Sequence, residues 1–529
     1  MKKIVLLVAA CGVSLAMSAQ YTFDALQLSQ TELRGTSRYM SMAGAFGALG
    51  GDISTLNQNP GGIGVYRSSD IGITLSLDLN SSKAGDVNTD QTKFNLNNFG
   101  YVGVIKLENE TMPNLNWGFT YNRNNSYNRH ARGVKLAIPT SITNYFADAA
   151  NANGATASIL DPVSGDPFFS DNGAAWNQIL AYRTYLIQPT DATGTHFNGL
   201  GFDGVYGDAE FEVEERGHTD EFTISLGGNI ANTLYWGMSF GIDDLLYEYN
   251  RYYAEALENT VIYDAPDDPE AVRVDGNANL GIVDWNRTTG TGYNFKFGVI
   301  LKPVNELRFG LAFHTPTYYN MKDSYYTVMS SDFYGDNVLE KDGYYLEEES
   351  PAYGYRYKIR TPWHFIGSMA GVIGNKGIIS ADYEYVGNKN IKILDDYGYE
   401  YVGSKAEIED YLSPTHIIRF GGELRVTPEW SLRAGYSYQT TNASQGVRDD
   451  DRFVAVGGNS SAFSYDRSVQ NITAGFGYRH KNFYFDMAYV HKYRQNTYNA
   501  FPIDDNLHNV QWDVNDHNNR ISATLGFRF

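Results

Sequence analysis

Hydrophobic and polar residues alternate with a period of two along most of this chain. The first clear run follows Ser69, where apolar side chains alternate with small or polar ones at Ile71, Ile73, Leu75, Leu77 and Leu79. About ten residues with one apolar and one polar face are what a lipid-facing strand of a membrane barrel requires. The pattern therefore predicts strands that cross a bilayer rather than strands of a soluble sandwich.

The same alternation recurs and predicts about fourteen strands, so the expected fold class is all-β. Short polar turns separate the runs near the C-terminus, at 427–429 and 479–482, and the last run ends at Phe529. An even number of antiparallel strands, joined alternately by short turns and long loops, is typical of an outer-membrane β-barrel. Since short turns face the periplasm in such barrels, Phe529 is expected at the periplasmic rim.

One connection, over residues 128–216, is too long for an empty loop. Apolar residues have helical spacing after the N-cap candidates Thr140 and Ser141, and again from Trp176 to Leu180. The sequence therefore predicts a long extracellular loop that carries two short amphipathic helices above the barrel.

The stretch from Gly35 to Tyr66 shows neither the period of two of a strand nor the spacing of a helix. Its glycines are too dense for a helix or a strand because each adds backbone entropy that folding must overcome. Residues 57–62 form a dense turn signal, and apolar side chains such as Phe46 supply bulk between the glycines. About thirty such residues cannot bury enough surface to fold alone. We therefore expect a small N-terminal hatch over residues 20–67, packed inside a barrel formed by residues 68–529.

This stretch resembles the N-terminal hatch of the bacterial outer-membrane long-chain fatty-acid transporter family, the FadL/TodX type, especially members common in Bacteroidetes. The resemblance lies in residues 35–46, GTSRYMSMAGAF, and in residues 59–64, NPGGIG. The family usually has alanine after the Asn-Pro pair, where this chain has Gly61. The rest of the chain matches the family in architecture only.

The resemblance implies an outer-membrane channel that admits hydrophobic small molecules, such as long-chain fatty acids, by passive diffusion. Ligand is expected to be captured in a groove of the loop helices and to move to a lumen site near the mature N-terminus. A shift of the hatch then opens an exit beside a kinked third strand, which here includes Trp117–Tyr127.

The resemblance also assigns residues to these steps. The expected ligand-binding residues are Phe146, Trp176, Ile179, Leu180, Tyr182 and Leu186 in the groove, with Tyr21 and Phe23 in the lumen. The expected gating residues are Gly44, Gly47, Gly50, Gly51, Asn59, Pro60, Gly61 and Gly62. Two alternatives stay open: the loop helices only cover the barrel mouth, and the Asn59-Pro60 turn only anchors the hatch to the wall.

Residues 1–19 have the pattern of a secretory signal peptide, with Lys2 and Lys3 before an apolar run and a cut expected after Ala19 or Ser18. A lipoprotein signal at Cys11 is the alternative, although the apolar run continues past it. Cys11 is the only cysteine, so a cut at Ala19 leaves no thiol chemistry in the mature chain. We expect export to the bacterial outer membrane, with outer-membrane lipid and the barrel-insertion machinery as partners.

Charge and motifs exclude several functions. The net charge of −20 opposes binding to nucleic acid. The histidines show no paired metal spacing, and there is no nucleophile elbow or phosphate loop, so we predict no enzyme, no metal and no cofactor. The 41 tyrosines fit the aromatic girdles of a barrel. They also leave one alternative function, a surface receptor or adhesin that binds haem or a host ligand and transports nothing.

Overall fold

The computed structural model describes residues 22–107, 109–170, 174–190, 193–201, 206–263, 273–335, 344–374, 376–450, 454, 460–502 and 510–529. The predicted signal peptide and Tyr21 therefore lie outside the described residues. The expected division of the chain into signal peptide, hatch and barrel stays a prediction.

The described chain forms a closed antiparallel barrel of 14 strands, which confirms the predicted fold class. The strands, some of them interrupted, are β1 Asp70–Ala84, β2 Val87–Lys106, β3 Asn114–Asn125 and Asn128–Lys135, β4 Tyr206–Ile230, β5 Leu234–Tyr263, β6 Arg273–Val304, β7 Leu307–His314 and Tyr318–Tyr334, β8 Tyr344–Glu349, Tyr353–Arg360 and His364–Ile373, β9 Gly377–Val386 and Lys392–Asp395, β10 Thr415–Arg425, β11 Trp430–Gln439, β12 Phe463–His480, β13 Phe483–Asn499 and β14 Gln511–Arg528. The barrel closes because β1 pairs with β14 from Asp70↔Arg528 to Ala84↔Val514.

Apolar side chains form a belt around the outside of the barrel. On β1 the alternating residues from Ile71 to Leu79 are 37–40% exposed, whereas the residues between them, such as Thr74 and Asp78, are buried inside. Matching residues on other strands include Ile224, Phe240, Phe295 and Leu525. An apolar belt outside and a polar interior are what a bilayer demands of a barrel.

Several strands extend far beyond this belt, and here the prediction of a long loop was wrong in part. Asn128–Lys135 of β3 pairs with β4 at the start of the expected loop, and Tyr206–Arg216 of β4 pairs with β5 at its end. The alternation is inverted in this region: Phe211 and Val213 are buried inside, and the glutamates that alternate with them, Glu210, Glu212 and Glu214, face outward. Above the bilayer the outer face meets water, so the apolar residues move to the inner face.

The helices are short. They are α1 Thr22–Leu28, α2 Ser37–Ser41, α3 Thr55–Gln58, α4 Ile142–Ala152, α5 Ala157–Leu160, α6 Trp176–Arg183, α7 Ser404–Tyr411 and α8 Gln445–Arg448, with 3-10 turns at Pro60–Val65, Pro167–Phe169 and Asn388–Asn390. The two predicted loop helices are α4 and α6, and Ser141 caps α4 by accepting a hydrogen bond from Thr143 N at 3.1 Å. In the described part of the chain, no helix is both long enough and apolar enough to cross a membrane.

Residues 22–66, the N-terminal segment, lie inside the barrel and contact strands on all sides of it. Ser37 N donates to Thr524 Oγ1 of β14 at 2.7 Å, and Gly47 N donates to Asp382 Oδ2 of β9 at 2.9 Å. On other strands, Asn116 of β3, Arg308 of β7 and Thr473 of β12 donate to backbone carbonyls of the segment. The apolar residues that the sequence placed in a plug, such as Phe46 and Leu56, are fully buried.

Candidate functional site

The Asn59-Pro60-Gly61-Gly62 turn is fixed by the Asn59 side chain and by two strands of the wall. Asn59 Oδ1 accepts a hydrogen bond from Gly61 N at 3.0 Å, and Nδ2 donates to Gly47 O at 2.6 Å. A Cβ at Gly61 would lie 2.9 Å from Gly298 O on β6. This contact explains why the chain has glycine at the position where the resemblance leads one to expect alanine.

A side chain at the other predicted gating glycines would strain the backbone or meet close neighbours. Gly44, Gly50 and Gly51 have φ angles of +76°, +64° and +67°, a region that L side chains rarely adopt. A Cβ at Gly47 would overlap the side chain of Ser368 on the wall. These glycines therefore specify one compact arrangement of the segment, and their part in gating stays a prediction.

Glycines on the wall make room for the segment. A Cβ at Gly237 of β5 would overlap the carbonyl oxygen of Pro60, and one at Gly421 of β10 would lie 2.6 Å from Met42 O. The inner face of the barrel therefore fits the backbone of the segment closely.

Replacing Gly237 by valine is expected to displace the Pro60 turn and to raise permeability to small hydrophilic solutes at least fivefold. The measurement is solute entry into proteoliposomes that contain the purified barrel. Gly367→Val is the matched control, because a Cβ at Gly367 of β8 would meet nothing within 4 Å. Equal permeability of a folded Gly237→Val variant and the unaltered protein would contradict this tight fit.

The wall is interrupted between β2 and β3. Their hydrogen-bonded ladder runs from Lys106↔Asn114 to Asn98↔Asn122 and stops there among the described residues, although β2 continues outward to Val87. The β3 strand breaks at 126–127, and its pairing with β4 shifts register between Arg123 and Asn125. The segment that the sequence proposed as a kinked third strand therefore contains a real discontinuity.

Beyond this break, β3 turns inward. Asn128 O accepts a hydrogen bond from Asn80 Nδ2 of β1 at 2.7 Å, and Gly133 packs against Ala84 of β1 and Trp512 of β14. The outer half of β3 thus crosses inside the wall instead of forming a ladder with β2, which leaves a lateral gap in the ladder beside residues 87–97 of β2. Two side-chain hydrogen bonds cross this gap: Arg123 Nη1 donates to Asn95 Oδ1 at 2.8 Å, and Thr89 Oγ1 donates to His130 O.

Residues 30–34 of the N-terminal segment join the two edges of this gap. On the β3 side, Glu32 N donates to Asn124 O at 2.8 Å, and Asn125 Nδ2 donates to Gln30 O at 3.3 Å. On the β2 side, Arg34 Nη1 donates to Asn97 Oδ1 at 2.9 Å. Asn97 is the extra residue of a bulge in β2, so the segment contacts irregular backbone on both edges.

A buried ionic cluster, which the sequence reasoning missed, holds residues 30–34 in place. Arg34 contacts Asp78 Oδ2 at 2.6 Å and Glu32 Oε2 at 2.7 Å, while Arg520 contacts the same two carboxylates and Lys492 contacts Glu32. Burial alone would raise the pKa of Glu32, but the three cations hold it well below its usual range. The only available signal was the presence of Asp78 and Arg520 on inward positions of predicted strands.

The six predicted groove residues come together, but in this conformation they form a closed core. Phe146, Trp176, Ile179, Leu180, Tyr182 and Leu186 are all less than one tenth exposed. They pack in one apolar cluster with inward residues of the raised wall, which is the part of the strands that extends beyond the apolar belt. These residues include Phe211 and Tyr253. Helical spacing cannot distinguish a core from an open groove, so the part of these six residues in ligand binding stays a prediction.

Phe23, the other predicted ligand contact that the structure describes, lies in the upper lumen. Its ring is 5.5 Å from that of Phe463 and 6.4 Å from that of Tyr411. It lines a cavity of about 90 Å³, while a separate polar cavity of about 150 Å³ extends below α1 to the Asn57–Gln58 region. Among the described residues, no three His, Cys, Asp or Glu side chains are grouped so that they could hold a metal ion.

No protein-family model and no curated protein matches this chain. Among solved structures, it is similar to a Pseudomonas aeruginosa FadL homologue, with a TM-score of 0.51, 11% identity, and coverage of 95% of this chain and 100% of that chain. The P. putida toluene transporter TodX matches with a TM-score of 0.45, 10% identity, and coverage of 95% and 99%. The Ralstonia pickettii toluene transporter TbuX matches with a TM-score of 0.43, 12% identity, and coverage of 95% and 100%. The first likeness confirms the FadL-type fold that the sequence led us to expect.

Proposed function

We propose that this barrel is an outer-membrane channel for the passive uptake of hydrophobic small molecules such as long-chain fatty acids. The observation that carries the proposal is the combination of a filled lumen with a lateral gap beside residues 87–97 of β2. A hydrophobic molecule that leaves sideways passes directly into lipid, so it needs no open aqueous pore. The solved FadL homologue supports this function through its fold.

Capture and transfer need no chemistry in this proposal. The apolar cluster of α4, α6 and the raised wall opens to receive the ligand, which then moves to the cavity beside Phe23. Burying ten methylenes at about 0.8 kcal/mol each supplies roughly 8 kcal/mol. Ordering costs reduce this gain, so binding is weak and reversible, as a channel requires.

Exit depends on movement of the N-terminal segment. Because residues 30–34 join both edges of the gap, their displacement, together with the breaking of the Arg123–Asn95 and Thr89–His130 hydrogen bonds, frees the route between β2 and β3. Residues 20–67 act as one hatch in this proposal, and the Asn59–Gly62 turn shifts with the hatch. We also propose that a signal peptide of residues 1–19 directs export. The barrel-insertion machinery then recognises the C-terminal Phe529.

Loss of the gene is expected to reduce uptake of labelled oleate, or of a labelled neutral lipophile, at least fivefold. The measurement compares a deletion strain with the same strain complemented by the unaltered gene. Uptake of both probes at the wild-type rate in the deletion strain would overturn the proposal. That result, combined with an absorbance shift when haem is added to the purified protein, would favour the alternative of a non-transporting receptor.

A further inference from the structure

Aromatic rings form a large part of the lining of the cavity beside Phe23. The cavity lies between α1 and the extracellular parts of β3–β8, β12 and β13, above the apolar belt. Its rings include Phe23, Tyr247, Tyr249, Tyr325, Tyr355 and Phe463. Tyrosine rings present a negative π face, which attracts cations as well as apolar groups.

Carboxylates outnumber cations around this cavity. Asp24, Glu215, Asp284 and Asp323 line it, whereas Arg129 is the one lysine or arginine among its described lining residues. Arg129 is already engaged, since it contacts Glu215 at 3.4 Å and Asp516 at 3.0 Å. A ligand with a negative charge would therefore meet more like charge than opposite charge.

Asp323 has no cationic partner among the described residues. Its two oxygens accept hydrogen bonds from the hydroxyls of Tyr355 at 3.0 Å and Tyr357 at 3.1 Å. Burial raises the pKa of Asp323 to about 6, which still leaves the carboxylate mostly ionised at neutral pH. Asp284, by contrast, is neutralised by Arg251 at 2.6 Å.

The hydrogen-bonding groups of the cavity also disfavour a ligand with a negative charge. The hydroxyls of Tyr247 and Tyr355 are used as donors to Glu215 and Asp323, so they are not available to an incoming anion.

We propose that this cavity prefers a lipophilic ligand with a cationic ammonium end over a carboxylate of the same chain length. The ammonium lies against Asp323 and the tyrosine faces, and the apolar tail occupies the aromatic part of the cavity. This inference rests on the proposed function and narrows its cargo. Fatty acids can still pass, but their anions bind to this cavity less tightly than ammonium ions of the same chain length.

Three probes with one twelve-carbon tail test the proposal: dodecyltrimethylammonium, dodecanol and dodecanoate. Equilibrium binding is measured at pH 7.5 to the purified full chain in nanodiscs of zwitterionic lipid, with protein-free nanodiscs subtracted. We expect the ammonium to bind at least tenfold more tightly than the carboxylate. Asp323→Asn should reduce that ratio at least fivefold, whereas Asp332→Asn, on the same strand but the opposite face, should leave it unchanged.

Equal or tighter binding of dodecanoate by the unaltered protein would overturn the proposal, whether or not the Asp323→Asn variant folds. An undiminished ratio in folded Asp323→Asn would overturn it as well. If dodecanol binds while the two ions bind equally, the charge preference is wrong and the channel proposal stands. If none of the three probes binds, the lumen site of the proposed function fails together with this inference.

Discussion

Arg251→Ala is expected to lower the free energy of unfolding by about 3–5 kcal/mol, because it leaves a buried carboxylate without its counter-ion. Arg251 on β5 is fully buried, and its Nη2 contacts Asp284 Oδ2 on β6 at 2.6 Å. The guanidinium also donates to Ser461 Oγ at 3.3 Å and to Ala500 O at 3.5 Å. It therefore ties β5 and β6 to the start of β12 and the end of β13.

The matched control is Arg287→Ala on the same two strands. Arg287 and Glu248 are directly opposed across β5 and β6, as Arg251 and Asp284 are, but this pair lies on the outer face and its arginine side chain is 50% exposed. Solvent screens such a pair, so its loss should cost less than about 1 kcal/mol. The free energy of unfolding of both variants is measured by urea titration in detergent. The readout is the difference in electrophoretic mobility between folded and unfolded barrels.

Comparable stability of the Arg251→Ala and Arg287→Ala variants would show that the inner pair is not neutralising a buried charge. A double variant, Arg251→Met with Asp284→Leu, provides a further check. It should recover most of the lost stability, because replacing both members of a buried ion pair by apolar groups removes the unpaired charge.

The barrel was predictable from sequence because the bilayer imposes one rule on every crossing strand. Residues such as Ile71 and Phe295 must face lipid, and their neighbours must face the lumen, so the period of two is explicit. The raised wall escaped prediction because water replaces lipid there. In residues 210–214 the apolar side chains point inward, and the glutamates between them resemble a loop sequence.

The contacts of the site were not predictable because they join distant parts of the chain. Arg34 and Arg520 share Asp78, although hundreds of residues separate the two arginines. No local pattern specifies such a contact. The hatch sequence indicated a plug, yet the fit of Pro60 against Gly237 depends on strand register, which only the folded barrel supplies.

Locking the N-terminal segment to the wall is expected to abolish uptake, because the proposed exit requires the segment to move. Ser37 of α2 and Ser522 of β14 suit a disulfide, since their hydroxyl oxygens are 3.0 Å apart and both side chains are buried. Cysteine is close to serine in size, so the two substitutions disturb little. The only natural cysteine, Cys11, lies in the predicted signal peptide, so the engineered pair has no competing thiol in the mature chain.

The most direct test of this account is hydrophobic-ligand uptake by the Ser37→Cys/Ser522→Cys variant, measured in the deletion strain before and after reduction. We predict that the oxidised channel takes up ligand at least tenfold more slowly than the reduced channel, and that the single variant Ser37→Cys responds to neither treatment. Undiminished uptake by a channel whose disulfide is shown to be fully formed would contradict the claim that this segment must move.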